Sequence, residues 1–181
     1  MAIFKFYQIH RSIREVLGEE MSIKIFPEYA ILPDKMPAKE QAELGRKIMD
    51  RMDRLLDENT IKKIRQMHTC NPSKEQVAKI KELKEKTNSF DEFLQEYSKF
   101  LAPGYVRKDK DTLYVSFGLE KCVCGMFRKL ETYEPISKTW CECCNGHVIK
   151  TYSMICDKMV FSEIVETIVC GGNDCIFKMV I

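Results

Sequence analysis

Along the first hundred residues the apolar positions recur at three- and four-residue intervals. Leu44, Ile48, Met52 and Leu55 fall on one face of a helix expected over residues 39–58, which Ile61 and Ile64 extend or follow with a short second helix. Cys70-Asn71-Pro72 interrupts that pattern, because a residue before proline is pushed out of helical geometry. Ser73-Lys-Glu-Gln76 has the form of a capping box, and the helix it opens carries Val77, Ile80 and Leu83. Ser89-Phe-Asp-Glu92 repeats the signal, ahead of Phe90, Phe93, Leu94, Tyr97, Phe100 and Leu101 at helical spacing. That aromatic stripe reads as a core face, and Pro103-Gly104 ends it.

Beyond Gly104 the period shortens. Tyr105-Val106-Arg107 and Thr112 to Phe117 flank the polar Lys108-Asp-Lys-Asp111, which predicts a hairpin. Residues 164–169 and 175–181 flank Gly171-Gly172-Asn173-Asp174 and predict a second, with Cys175, Phe177, Met179 and Ile181 on one face. Between the hairpins a helix capped by Ser137 runs towards Ile155, with Trp140, Cys144, Val148 and Tyr152 on one ridge and Asn145-Gly146 as a break or kink. The expected fold is α+β: N-terminal helices packed on a C-terminal antiparallel sheet of order β-β-loop-α-β-β. At 181 residues and 45% hydrophobic the chain suits a single domain over 1–181, mainly helical over 1–103 and α+β with cysteines over 104–181.

Charge narrows the partners. The net charge is only +2 and the signs are interspersed, so neither nucleic acid nor an anionic membrane is expected. No window reaches the roughly 20 apolar residues of a membrane span, and the first residues lack a secretory pattern, so a cytoplasmic protein is expected. With nine cysteines in a reducing compartment, metal ligation and buried thiols are expected ahead of disulfides. A sheet ending at the last residue leaves an edge for a partner chain, which admits a homodimer.

The candidate chemistry lies in Cys122-Val-Cys124 and Cys141-Glu-Cys143-Cys144, with His147 just beyond. Thiolates and imidazoles in such groups suit a soft metal, and the expected cofactor is zinc. One pair would be Cys122 and Cys124 and the other Cys141 and Cys143, with Cys144 and His147 as alternates. The spacing is Cys-x-Cys rather than the usual Cys-x-x-Cys of structural zinc sites. A second reading makes Cys141, Cys143 or Cys144 a nucleophile paired with His147. A third assigns water on an open zinc, with Glu142, Glu163 or Glu166 as base; a fourth is redox chemistry of the paired thiols. Cys70 is the distant thiol best placed to join the group, Cys156, Cys170 and Cys175 read as packing residues, and His10 and His68 read as isolated surface residues.

Cys122-x-Cys124, Ile136-Ser-x-x-Trp-Cys-x-Cys143, Gly146-His147 and Glu163-x-x-Glu-Thr-x-x-x-Gly-Gly-x-x-Cys175-x-Phe177 together resemble a family of uncharacterised bacterial and archaeal proteins. The closing Gly-x-x-Cys-x-Phe hairpin is also similar to aminothiazoline carboxylate hydrolase-like proteins and to vinyl-reductase ligand-binding domains. The resemblance covers residues 120–181, and the chain departs from the vinyl-reductase ending at Cys170 and Cys144. It implies an α+β fold and either small-molecule sensing with a metal or ring-opening hydrolysis of a small sulfur heterocycle. The expected function is that of a zinc-binding domain that binds or senses a small-molecule ligand. The alternative is a hydrolase of a C–N/C–S heterocycle, acting through a Cys thiolate or zinc-bound water.

Overall fold

The computed structural model describes residues 2–181 and divides the chain into two compact units that interleave in sequence: Met1–Thr69 with Cys122–Cys143, and Cys70–Lys121 with Cys144–Ile181. The first is helical. α1 (Ala2–Leu17) buries Phe6, Ile9 and Ile13, which lie three and four residues apart on one face. Gly18, with φ of 82° and ψ of 178°, occupies a region open essentially to glycine alone, and lets the chain turn into α2 (Glu19–Ile25). A single 3-10 turn, Pro27–Ile31, precedes α3 (Ala38–Leu55) and α4 (Glu58–Gln66). α3 buries Ile48, Met49 and Met52. Asp57 separates α4 from α3 by accepting the Thr60 backbone N–H, which settles the alternatives for Ile61 and Ile64 in favour of a second helix.

The second unit holds the sheet. α5 (Lys74–Lys86) begins with both hydrogen bonds of the Ser73/Gln76 capping box. α6 (Phe90–Leu101) is capped by Ser89, which accepts the Glu92 N–H, while the Glu92 carboxylate takes the N–H of Asn88, one residue earlier than in a capping box. β1 (Tyr105–Asp109) and β2 (Thr112–Ser116) form the first hairpin. α7 (Glu142–Cys156) continues a 3-10 turn over Lys138–Cys141 and is assigned as one helix through Asn145-Gly146, where a break was expected. The Asn145 side chain, fully buried, donates to the Ser162 carbonyl.

β3 (Phe161–Glu166) and β4 (Ile176–Val180) complete an antiparallel sheet of order β1-β2-β4-β3. The fold is α+β, as the change of period predicts. Two details differ. β3 starts three residues before the expected Ile164, and residues 168–170 form a 3-10 turn rather than the end of the strand. The last strand is interior, so the open edges belong to β1 and β3, and the reason given for a partner at the chain's end falls away. Leu113, Val115, Phe177 and Met179 face inward against Phe93, Tyr97, Val148 and Tyr152 of the helices. The sheet's other face is open and carries Phe161 and Val180, 81% and 71% exposed.

Candidate functional site

In the first unit the segment 122–128 is a tight turn. The backbone N–H groups of Phe127 and Arg128 both reach the Cys124 carbonyl at 2.9 Å. Its foundation is aromatic: the buried Phe127 stands edge-on to Trp140 at 5.8 Å and lies 4.9 Å from Tyr133. Trp140 in turn meets Phe6 of α1 at 6.4 Å and rests on α3, where a Cβ at Gly45 would come within 3.2 Å of the indole. The turn presents two thiols. Cys122 is buried and its sulfur accepts the Cys124 backbone N–H at 3.4 Å. Cys124 is half-buried, and the Lys5 ammonium of α1 donates to its sulfur at 3.2 Å. Each sulfur of the turn thus accepts one hydrogen bond, Cys122 from a backbone N–H and Cys124 from a cationic side chain.

The same unit fixes the start of α7. The buried Arg65 of α4 donates from Nε to the Thr139 carbonyl (3.2 Å) and from Nη2 to that of Trp140 (2.9 Å), with its guanidinium 5.1 Å from the Trp140 ring centre. Thr139 donates its hydroxyl to Asp53 at 2.6 Å, and Gln66 donates to the buried Glu142 at 2.8 Å. Cys141 is thereby held in the interior, 4% exposed. The Cys143 thiol donates to the Trp140 carbonyl at 3.6 Å, and its own carbonyl accepts the Thr69 hydroxyl.

In the second unit α7 carries Cys144 and His147. His147 Nδ1 lies 3.2 Å from the Cys70 carbonyl. A carbonyl can only accept, so Nδ1 carries a proton there, which in the neutral ring makes Nε2 the basic nitrogen. Such a bond is also the usual outer-shell support of a metal-ligating histidine. Lys150 donates to Asn71 at 3.0 Å, so α7 holds both residues of the break before Pro72.

The sequence profile of a family of unknown function matches residues 5–181. The chain belongs to the DUF6144 family. No curated protein and no solved structure matches it. The DUF6144 match takes in both Lys5 and Cys124, the pair joined by the 3.2 Å ammonium–sulfur contact.

Of the six residues expected to bind metal in this DUF6144 chain, Cys122, Cys124, Cys141 and Cys143 belong to the first unit and Cys144 and His147 to the second. Among the described residues no three His, Cys, Asp or Glu side chains come together as a metal-holding group. The three glutamates expected as bases all make structural contacts: Glu142 with Gln66, Glu163 with Lys178 at 3.0 Å, and Glu166 with the backbone N–H of Asn173 and Asp174. Cys70 does come to α7 through its carbonyl, while Cys170 is exposed on a 3-10 turn and is not a packing residue. Its sulfur accepts the Thr167 hydroxyl at 2.9 Å.

Cys175 sits in the core, where burial pushes its thiol pKa up, and burial does the same to Cys156. The Gly-x-x-Cys-x-Phe ending is thus a packing and turn device. Asp174 secures it by accepting the Ser116 hydroxyl and the N–H groups of Gly118, Leu119 and Cys175. Burial works to raise the Asp174 pKa, but these donors outweigh it and hold the carboxyl below its ordinary range. His10, read as a surface residue, is buried against Phe26 and Tyr29 instead. Lys5 and Arg65 had no signal in the sequence, because each acts on a segment more than seventy residues away.

Proposed function

We propose that the protein binds or senses small electrophilic molecules through the sulfur of Cys124, with the Lys5 ammonium as the group that directs and assists the attack. The observation that carries this reading is the 3.2 Å contact between Lys5 Nζ and Cys124 Sγ on a half-buried turn. The nucleophile differs from the thiols paired with His147 in the sequence reading, because Cys141 is buried, Cys143 is engaged with a carbonyl and Cys144 packs against the core of the second unit.

The resemblance of the closing hairpin to aminothiazoline carboxylate hydrolase-like proteins suggests a substrate class, a small ring whose carbon lies between sulfur and nitrogen. Attack by Cys124 on that carbon forms a C–S bond and moves the C=N electron pair to nitrogen, which takes a proton from the Lys5 ammonium. Sensing ends with that adduct; in hydrolysis the nitrogen electron pair re-forms C=N and the ring C–S bond breaks, its sulfur leaving as a thiol, after which water adds to the same carbon and Cys124 leaves.

Peptide-resolved alkylation of reduced protein by iodoacetamide tests the reading. Cys124 should react first, and Lys5→Met should slow it about tenfold near neutral pH. An equal rate in the variant would remove Lys5 from the role.

Zinc is the second reading, favoured within the first unit by the Cys124 N–H to Cys122 Sγ bond, the outer-shell support a metal-ligating sulfur receives. Elemental analysis of protein purified without added metal distinguishes the two. About one zinc per chain, lost in Cys124→Ser, with alkylation fast only after chelation, establishes the metal. A homodimer is proposed at the β3 edge, where Phe161 and Val165 are exposed; a monomer mass by light scattering, unchanged in Phe161→Lys, would refute it.

A further inference from the structure

In the second unit a groove of about 910 Å³ runs between α6 and β1. Its floor is apolar, formed by the buried Leu94 and Val106. Its rim is cationic: Lys99 on one side and Arg107, Lys108 and Lys110 on the other, against the single carboxylate of Asp91. The sheet order leaves the outer edge of β1 unpaired by any strand. The Val106 N–H is turned to the Ser98 hydroxyl of α6 at 3.2 Å, an acceptor that an incoming backbone carbonyl can replace.

We propose that this groove takes an acidic, extended peptide segment, which adds a strand to the β1 edge and sets its carboxylates among Lys99, Arg107, Lys108 and Lys110. Three observations select that occupant. An open strand edge beside a helix is the geometry of strand addition, in which the backbone supplies affinity and alternate side chains supply specificity. The apolar floor has room for the inward side chains of such a strand, whereas a bare phosphate or polyanion would leave it unused. The rim excess of cations selects acidic residues on the outward positions, although the chain as a whole is nearly neutral. Lys108 already pairs with Asp91 at 2.7 Å and Lys99 with Glu96, so an entering carboxylate exchanges partners there, while the Arg107 guanidinium, stacked over Tyr114 at 5.3 Å, keeps that contact as it takes on an ionic one. Binding is therefore moderate and salt-sensitive. β3, the other open edge, has exposed Phe161 and Val165 beside Glu163 and Glu166 and lacks that cationic rim.

Fluorescence anisotropy of the full chain with a labelled peptide alternating Glu and Val tests the proposal. Saturable binding is expected, weakened about tenfold by Lys99→Glu combined with Arg107→Glu, both exposed positions whose variants are checked for native folding by circular dichroism. Methylating alternate peptide nitrogens should abolish it, as strand addition requires. Cys124→Ser should leave it unchanged, which separates this surface from the thiol reading. Absence of binding, indifference to charge reversal or to N-methylation, or equal displacement by tripolyphosphate would each overturn the proposal.

Discussion

His10 lies flat on Tyr29, with ring centroids 3.4 Å apart and planes within 3° of parallel, and Phe26 stands edge-on beside it. Burial lowers its pKa, the Glu19 carboxylate pulling the other way and Arg14 adding to the decrease. A histidine depressed in the folded state binds its proton more readily when unfolded. Its stability contribution is thus complete above the ordinary value of about 6.5 and is lost as the pH falls from there through the folded value. Thermal unfolding at about pH 7.5 and about pH 5.5 should show the loss, and His10→Phe should reduce the difference. An unchanged pH response in that variant would place the titrating group elsewhere, though not at Asp174, whose depressed carboxyl loses its contribution only below this window. Tyr152 presents a different residue-scale case. Its hydroxyl is buried without a hydrogen-bond partner among the described residues, and burial raises its pKa. Tyr152→Phe removes that unmet group, so urea unfolding should show equal or greater stability, by up to about 1 kcal/mol. A clear loss would reveal a bond the hydroxyl makes in solution.

At the scale of elements, the 3-10 turn over Lys138–Cys141 depends on α4. Arg65 satisfies two of its carbonyls and covers the Trp140 ring. Arg65→Met retains much of the apolar stem but leaves both carbonyls without their charged donor, at a cost of about 2–4 kcal/mol. Trp140 is the sole tryptophan, so its fluorescence during denaturation reports the site directly. Arg65→Lys should recover part of the loss, since one ammonium cannot reproduce the two-pronged guanidinium. Equal stability of all three proteins would mean that water serves those carbonyls as well. The elements themselves were legible wherever a local rule operates: the Ile48/Met52 face of α3, the Ser73 capping box, and the β1–β2 hairpin around Lys108–Asp111. They were less legible where distant partners decide. Residues 164–169 have strand composition throughout, yet the Asp174 and Glu166 carboxylates tie down the following turn and the chain leaves the strand at Glu166. Asn145-Gly146 reads locally as a break. Inside α7 the glycine is buried and the asparagine is bound to the Ser162 carbonyl, so tertiary contacts outweigh the low helical propensity.

Over the whole molecule the nine thiols fall into environments that spacing alone could not separate. The grouping of Cys122, Cys124, Cys141 and Cys143 was visible in the sequence, and all four belong to one compact unit. What distinguishes them chemically is not local: Lys5 reaches Cys124 across 119 positions, while Cys141 is buried behind contacts from α3 and α4. Reactivity towards a small aromatic disulfide reagent should consequently be graded in the native, reduced protein. Cys124 should react first, through its Lys5 contact rather than exposure, followed by the exposed Cys70 and Cys170. Cys122, Cys141 and Cys175 should appear only on unfolding, since reagent access and, at Cys175, a raised thiol pKa both oppose attack. Quantifying each cysteine by mass spectrometry after a short exposure gives the order. Fast labelling of Cys141 would mean that the Arg65-braced turn opens in solution, and protection of Cys124 until a chelator is added would move the chemistry from a reactive thiolate to a thiolate-bound metal.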